Sequence, residues 1–487
     1  MPTSGAPAAR APRGAAPPLP RTALPWVQVA AGAPYFVTEH GAAWTPIGQN
    51  DAITWPELAP LFRRKDLGAV ERHLAHLAAH GVTCLRLMLE YCQGEHRYFE
   101  RPVGRPVPAM VRLWDDLFAL CERTGLRILL TPFDTFFTWR RWGHHPYNRR
   151  NGGPCGSRTQ LVACAATRAA VKARLAFATE RWGASGALFA WDVWNELHPA
   201  HGGHDPAALT DFVDDVGGFL RETELRLHGR THPQTVSAFG PELLNSPRLN
   251  EIVFRHPGLD FATSHFYESG TIDAPRNTVD AAVSVGRLVG ESLSEIRDGR
   301  PFLDSEHGPI HSFKDRHTTL PADFDDEYFR HIQWAHLATG AAGGGMRWPN
   351  RHPHVLTPGM RAAQRALARF LPLVDWSRFA RRPVAAGDRA ADGRSVAFAS
   401  ASDTQAVAFL LRADARGRAG TLRTDAAPLD LSLRVPGLRP GRYRVTRWDT
   451  RAGAAAHASD VGHDDGDFVL RADGVVTDAA FAIRRTS

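Results

Sequence analysis

The sequence predicts an α/β protein: a (β/α)8 TIM barrel followed by a small all-β sandwich domain. Two observations carry this prediction. From residue 34 to residue 376, eight short apolar runs alternate with eight longer segments of helical spacing, which is the rhythm of parallel strands each followed by a helix. Beyond residue 376 the helical spacing stops, and short runs of alternating apolar and polar residues follow one another between turn residues.

The eight candidate strands are nearly continuous apolar runs, as a parallel sheet buried on both faces requires. They cover residues 34–37, 83–89, 127–133, 187–194, 235–240, 259–267, 301–306 and 343–349. The candidate helices cover residues 66–81, 108–125, 167–183, 205–229, 246–256, 277–299, 325–340 and 357–376. Several helices begin beside Asp or Pro and stop at Gly, which are typical helix boundaries. The long stretch at 134–166, after the third strand, predicts a large insertion.

Changes in composition place the domain boundaries. Residues 1–25 are rich in Ala, Pro and Arg and lack the apolar segment of a signal peptide, so they predict a disordered N-terminal tail. Residues 26–380 hold the barrel pattern, and residues 381–487 hold the C-terminal β-sandwich pattern. No run approaches the ~20 apolar residues that span a membrane. We therefore expect a cytoplasmic protein without a membrane partner.

The basic balance of the chain does not indicate a nucleic-acid partner. The formal net charge is +7, yet Lys occurs only at positions 65, 172 and 314. The arginines are scattered along the chain, as in proteins from GC-rich genomes, and they form no single basic stripe. The five cysteines are irregularly spaced and form neither a disulfide framework nor a Cys-x-x-Cys pattern. We therefore expect no nucleic acid, no metal and no cofactor.

Reactive side chains stand at the ends of most candidate strands, which is where (β/α)8 barrels place their active sites. The apolar fourth strand runs into Asn195 and Glu196, and the seventh ends at Glu306. A carboxylate at the end of a buried strand is costly unless it has partners or a task. The other strand ends carry Arg86 (second), Asp134 (third), His265 and Tyr267 (sixth) and Trp348 (eighth).

The two glutamates predict a common site. Glu196 and Glu306 lie 110 positions apart, with three strand–helix steps between them, so they come from nearly opposite sides of the barrel mouth. Cleavage of a glycosidic bond needs two such carboxyl groups. One protonates the leaving oxygen, while the other attacks the anomeric carbon or activates water. Their surroundings must separate their pKa values so that one is protonated while the other is ionised.

This ordered set of residues resembles the retaining glycoside hydrolases of clan A, and most closely family 5, the cellulase and mannanase family. The resemblance covers roughly residues 35–376 and is carried by Arg86, Asn195, Glu196, His265, Tyr267, Glu306 and Trp348, in the family's order. It implies a β-glycosidase that cleaves a β-linked glycan or oligosaccharide by double displacement. It implies no particular sugar or linkage, and neither endo nor exo action. The sequence indicates no oligomeric state.

The resemblance also implies a role for each residue. Glu196 would be the acid/base and Glu306 the nucleophile. The remaining expected roles are a bond from Asn195 to the sugar 2-hydroxyl, orientation of the nucleophile by Arg86 and Tyr267, support of the acid/base by His265, and stacking of Trp348 under the sugar. A structural ion pair for Arg86, a satisfied core position for His265 and core packing for Trp348 are the alternatives.

The insertion after the third strand adds further candidates. Asp134 is expected either to bind sugar or to cap a helix. The segment 135–153 is dense in aromatic residues, and long ordered loops are commonly functional. We expect Trp139 and Trp142, with Tyr147, to serve as platforms in the cleft wall. The alternative is a loop that packs on its own aromatic side chains.

Two other function classes remain open. A metal-dependent barrel hydrolase would use His144, His145, His307 and His311, but such barrels usually carry a His-x-His at the first strand, and residues 44–50 have none. A carbohydrate-binding barrel that has lost catalysis is disfavoured because both glutamates are present.

The C-terminal domain has two possible roles, and we favour buttressing of the barrel over glycan binding. Tyr443 and Trp448 are expected to be either exposed stacking residues or core residues.

Overall fold

The computed structural model describes residues 24–90, 98–203, 205–268, 270–309, 319–349 and 355–486, so the predicted tail lies almost entirely outside the described residues. A small antiparallel sheet comes first, with strands β1 (Val27–Val29), β2 (Phe36–Thr38) and β3 (Ala43–Trp44). The barrel strands are β4 (Gly48–Asp51), β5 (Cys84–Met88), β6 (Arg127–Thr131), β7 (Leu188–Asp192), β8 (Gln234–Thr235), β9 (Ala262–Phe266), β10 (Phe302–His307) and β11 (Met346–Arg347).

The barrel strands form one parallel sheet in the order β8-β7-β6-β5-β4-β11-β10-β9. A parallel bridge between Phe239 and His265 brings the two edge strands together, so the barrel is nearly closed. This architecture confirms the predicted fold class. The helices around the sheet are α1 (Leu67–Ala79), α2 (Pro108–Thr124), α3 (Thr135–Arg140), α4 (Ala165–Trp182), α5 (Pro206–Phe212), α6 (Gly218–His228), α7 (Gly240–Asn245), α8 (Pro247–Arg255), α9 (Thr278–Glu295), α10 (Ala322–Thr339) and α11 (Pro358–Phe370).

The expected first strand at residues 34–37 is wrong as a barrel strand. Those residues enter β2, where the Phe36 ring lies 5.0 Å from Phe189 and 5.5 Å from Phe261 and covers the N-terminal end of the barrel. The first barrel strand is β4, whose sequence Gly-Gln-Asn-Asp has no apolar run. Its Gly48 is required because a Cβ there would lie 1.7 Å from the carbonyl oxygen of Cys84 on β5.

The C-terminal region is all-β, as predicted. Its strands are β12 (Arg382–Arg389), β13 (Ser395–Ala401), β14 (Gln405–Arg412), β15 (Leu429–Val435), β16 (Gly441–Asp449), β17 (Ala454–His463), β18 (Phe468–Val475) and β19 (Asp478–Arg485). Six form an antiparallel sheet in the order β12-β13-β14-β19-β16-β17, and β15 pairs with β18 in a second sheet. Apolar residues of both sheets share one core.

This C-terminal sheet packs directly on the barrel helices. The Trp448 ring lies 5.8 Å from Phe370 of α11, and Arg330 of α10 forms an ion pair with Asp478 at 2.8 Å. Tyr443 and Trp448 are both buried, so neither is an exposed stacking residue. The contacts of Trp448 with α11 and of Asp478 with α10 favour the buttressing role.

Two further sequence expectations concern cysteines and membrane segments. The described cysteines Cys84, Cys121, Cys155 and Cys164 are all free thiols. In the part of the chain that the structure describes, no helix has both the length and the apolar character needed to cross a bilayer.

Candidate active site

A cavity of about 740 Å³ opens at the C-terminal end of the barrel strands. Seven of the ten predicted site residues line it: Asp134, Trp139, Asn195, Glu196, Tyr267, Glu306 and Trp348. Arg86 and His265 are fully buried beneath these side chains and contact the two glutamates. The tenth, Trp142, does not line the cavity. Strand ends from most of the barrel thus converge on one site, as this fold dictates.

Arg86 forms the floor of the site. Its guanidinium bridges strands by donating to Glu306 Oε2 at 2.9 Å and to Asp192 Oδ2 at 2.7 Å. It also donates to the side-chain oxygens of Asn50 and Asn195. Because it is only 1 % exposed, this cation depends on its two carboxylate partners, and they depend on it. The guanidinium therefore fixes Glu306 and Asn195 relative to each other.

Glu306 is a buried carboxyl group held from two sides. Arg86 binds Oε2, and the Tyr267 hydroxyl donates to Oε1 at 2.7 Å. Burial raises the pKa of Glu306 above its ordinary 4.5, and the nearby Glu196 raises it further, while His265, Arg86 and the Tyr267 hydrogen bond lower it. The contacts that lower the pKa favour the ionised carboxylate, the form that a nucleophile requires.

Glu196 has a strained backbone. Its φ of 52° lies in the left-handed region, which non-glycine residues adopt only where the surroundings hold them there. Its N–H donates to Ser237 Oγ at 3.1 Å, and its carbonyl accepts from Thr135 Oγ1 at 2.6 Å. These two hydroxyls clamp the backbone on both sides of Glu196, and its side chain points into the cavity.

The clamp continues into the third-strand insertion. The Thr135 hydroxyl lies 3.0 Å from His201 Nε2, and His201 Nδ1 accepts from the Trp139 indole N–H at 3.0 Å. Burial lowers the pKa of His201 to about 4, so at neutral pH its neutral ring can accept from Trp139 and donate to Thr135. The insertion thereby supports the backbone of Glu196.

The side chain of Glu196 is in a different environment from that of Glu306. Burial raises the pKa of Glu196 to about 7, Arg86 lowers it and Asp192 raises it. His265 Nδ1 lies 2.9 Å from Glu196 Oε1. One oxygen of Glu196, one of Glu306 and a ring nitrogen of His265 all lie within 4.8 Å of one another. Below about pH 7, Glu196 is therefore mainly protonated and faces Glu306 across a short gap.

Asp134 caps a helix, which is one of its two predicted roles, and it also contacts the site through Asn195. It caps α3 by accepting from the Phe137 N–H, and it accepts from the Asn195 side-chain amide, each at 2.5 Å. Burial raises its pKa to about 7. Asn195 therefore lies between Asp134 and Arg86, which fixes the orientation of its amide.

The aromatic candidates have different positions. Trp348 lines the cavity and its ring lies 5.2 Å from that of Trp55. Trp142 does not line the cavity, and its ring stacks on His145. Tyr147 is likewise buried, with its hydroxyl bonded to Glu100 at 2.7 Å. This part of the insertion packs on its own aromatic residues.

The residues that could hold a metal ion differ from the four histidines expected for a metal-dependent hydrolase. Among the described residues, the only group with ligand atoms close enough for a metal is Glu196, His265 and Glu306. The described His144, His145 and His307 do not belong to it, and His311 lies outside the described residues. A cation there would sit beside the Arg86 guanidinium, which already supplies the positive charge next to Glu306.

Comparison with solved structures identifies the fold. One solved glycoside hydrolase matches with a TM-score of 0.59 and 13% identity, over 96% of this chain and 99% of that chain. A family 5 glycoside hydrolase from Bacteroides vulgatus matches with a TM-score of 0.60 and 12% identity, over 95% of each chain. The chain has a glycoside hydrolase fold. No family model and no curated protein matches the sequence. The similarity of this chain to the two solved proteins is therefore one of structure.

Several residues of this site were not predicted. Asp192, Ser237, Asn50 and Thr135 hold Arg86 and Glu196 in place. Asp192 could have been recognised from the sequence, because a carboxylate inside the apolar run 187–194 is unusual. Ser237 and Thr135 are single small polar residues, and no spacing rule distinguishes them from ordinary strand ends or helix starts.

Proposed function

We propose that this protein is a retaining glycoside hydrolase that cleaves a β-linked glycan or oligosaccharide by double displacement. The observation that carries the proposal is the pair Glu196 and Glu306, whose oxygens approach within 4.8 Å in one cavity. Retaining enzymes place their two carboxyl groups about 5–5.5 Å apart, whereas inverting enzymes keep about 6.5–9.5 Å for a water molecule. The short gap between one oxygen of each glutamate supports the retaining mechanism.

The two surroundings suit two successive steps. In the first step, Glu306 attacks the anomeric carbon and Glu196 gives its proton to the leaving oxygen, which produces a glycosyl ester on Glu306. In the second, the ionised Glu196 takes a proton from water, and this water releases the sugar and restores Glu306. Arg86 and Tyr267 stabilise the carboxylate of Glu306 before attack and as it leaves.

Sugar recognition follows from the groups around the pair. The Asn195 amide is fixed by Asp134 and Arg86, so it can bind a hydroxyl next to the anomeric carbon without an ordering cost. The Trp348 ring at the cavity wall offers an apolar face to a pyranose ring.

The test is hydrolysis of a panel of nitrophenyl glycosides and polysaccharides by the parent protein and by Glu180→Gln, a matched variant of an exposed glutamate on α4. We expect both proteins to release product from the same β-linked substrates. Activity that is lost on treatment with a chelator and restored by a divalent metal would favour the metal-dependent alternative instead.

The pH dependence follows from Glu196. Burial raises its pKa to about 7, and only its protonated form can protonate the leaving group, so kcat/KM falls as the pH rises through that value. Glu306 must be ionised, and its raised pKa makes activity fall on the acid side at a pH above 4.5. We expect a bell-shaped profile. For Glu196→Ala on a dinitrophenyl glycoside, whose leaving group needs no proton, the basic limb should be absent.

The clamp on Glu196 gives a second prediction. Thr135→Val removes the hydroxyl that binds the Glu196 carbonyl and leaves buried groups of His201 and Trp194 without a partner. We expect kcat to fall about 3- to 10-fold and the free energy of unfolding to fall by about 1–3 kcal/mol. Thr135→Ser keeps the hydroxyl and should restore most of kcat. Equal kcat values in the Val and Ser variants would contradict the clamp.

A further inference from the structure

One wall of the cavity combines arginines with aromatic rings. Helix α3 contributes Phe136, Trp139 and Arg140, and Arg158 reaches the same wall from the insertion. The Arg140 guanidinium carbon lies 5.3 Å from the Phe136 ring centre, and that of Arg158 lies 4.8 Å from the Trp139 ring centre. Both are within the range of cation–π contacts. The rings thus hold the two guanidinium groups at the cavity.

This arrangement changes the role expected of Trp139. Arg158 covers its ring and donates to its carbonyl oxygen at 3.0 Å, while the indole N–H is engaged by His201. The ring is therefore a support for Arg158 and not a free platform for sugar. Toward a ligand, this part of the wall presents guanidinium N–H donors.

Neither arginine is neutralised in the structure. Within the described ranges, no carboxylate oxygen lies within 4.0 Å of a guanidinium nitrogen of Arg140 or Arg158, and both side chains are exposed. The same insertion also carries Arg150, which is exposed and does not line the cavity. Of the described arginines, Arg140 and Arg158 are the two that lie on aromatic rings at the cavity wall.

The acidic groups of the cavity that lie away from this wall have partners of their own. Glu242 lies 3.5 Å from His198 Nε2, and Asp273 accepts from the Glu268 N–H at 2.7 Å. Burial raises the pKa of Asp273 to about 6. The remaining carboxyl groups are those of the site already described. Among the described residues that line the cavity, Arg140 and Arg158 are therefore the cations without a carboxylate partner.

We propose that Arg140 and Arg158 bind an anionic substituent of the sugar substrate, either a carboxylate, as in a uronic acid, or a sulfate ester. The planar guanidinium suits both groups because its parallel N–H donors match two oxygens of one anion. The proposal deepens the proposed function, since it names the substrate class of the same cavity. It predicts that the protein prefers acidic glycans over neutral glycans of the same backbone.

Binding tests this site separately from turnover. Uronic acids, sulfated monosaccharides and their neutral counterparts are titrated by calorimetry into Glu306→Gln, alone and combined with Arg140→Gln, Arg158→Gln or both. We expect at least one acidic sugar to bind about 10- to 100-fold more tightly than its neutral counterpart. The series shows whether carboxylate or sulfate is preferred. The arginine changes should remove this preference, whereas Arg150→Gln should keep it. The thermal unfolding midpoint of each variant is measured as well, so that a loss of fold can be distinguished from a loss of binding.

The outcomes separate the two proposals. Equal binding of acidic and neutral sugars, no binding of any acidic sugar, or a preference that survives in the double variant overturns the anionic site. Hydrolysis of neutral glycosides by the parent protein would leave the proposed function standing in each of those cases. A clear acidic preference in a protein that hydrolyses no glycoside would support the anionic site and contradict the proposed function.

Discussion

Glu306→Gln is expected to lower kcat by about 10⁴-fold or more, with little change in KM for a substrate that binds through the rest of the cavity. An amide cannot attack the anomeric carbon, so the first step of double displacement is lost. The amide has nearly the volume of the carboxylate. Its oxygen can still accept from Arg86, while its NH2 group can donate to the Tyr267 hydroxyl oxygen. The fall in kcat should therefore come from the lost chemical step and not from a change in binding or folding. Steady-state kinetics on the best substrate of the panel measure it.

The Glu306 prediction has two controls. The thermal unfolding midpoint of Glu306→Gln should stay close to that of the parent, which excludes misfolding as the cause. Glu180→Gln, on the outer surface of α4, should keep the parent kcat. A Glu306→Gln protein that hydrolyses aryl glycosides at the parent rate would exclude Glu306 as the nucleophile.

Arg86→Met is expected to have the largest effect on stability. Removal of the cation leaves the carboxylates of Asp192 and Glu306 buried without their ion-pair partner. Breaking a buried pair in this way costs about 3–5 kcal/mol, so the free energy of unfolding at neutral pH should fall by that amount. Urea unfolding of the parent and the variant measures the difference.

The pH dependence distinguishes this effect from simple loss of packing. Arg86 lowers the pKa of Glu306, so its removal raises the folded-state pKa further above the unfolded value. A group with a raised folded pKa favours the folded state at low pH and loses that contribution as the pH rises. The stability deficit should therefore shrink on acidification. The acid limb of kcat/KM should also move to higher pH.

Arg174→Met is the matched control for Arg86. Arg174 is equally buried and pairs with Glu90 at 3.2 Å and Glu100 at 2.6 Å, away from the cavity. Its loss should also cost several kcal/mol of stability, but it should leave the acid limb in place. The same shift of the acid limb in both variants would contradict a specific role of Arg86 at Glu306.

The barrel was predictable where strands are apolar and was missed where one is polar. The runs that became β5, β6 and β7 are largely apolar and buried throughout, so their hydrophobic pattern located them. Strands β9 and β10 are also buried throughout, although most of their residues are polar. Strand β4 is Gly-Gln-Asn-Asp, because Asn50 enters the barrel interior and binds Arg86. Because β4 carries polar residues for contacts inside the barrel, it lacks the apolar run by which the other strands were recognised.

The strand-end rule predicted part of the site. The prediction was incomplete where tertiary packing determines which side chains reach the cavity. The carboxyl ends of parallel strands meet at one face, which brought Glu196, Glu306 and Tyr267 together as expected. Nothing local distinguished Trp139 from Trp142 in the insertion. One lies beside Arg158 at the cavity and the other stacks on His145, because the fold of the loop directs each ring.

The measurement that tests the account most directly is the anomeric configuration of the first product, observed by proton NMR during hydrolysis of a β-glycoside. One carboxyl oxygen of Glu196 lies within 4.8 Å of one carboxyl oxygen of Glu306. Two displacements at one carbon should therefore release the β-anomer first, and the α-anomer should appear only later by mutarotation. Release of the α-anomer first would mean a single displacement by water, and it would contradict the covalent role assigned to Glu306.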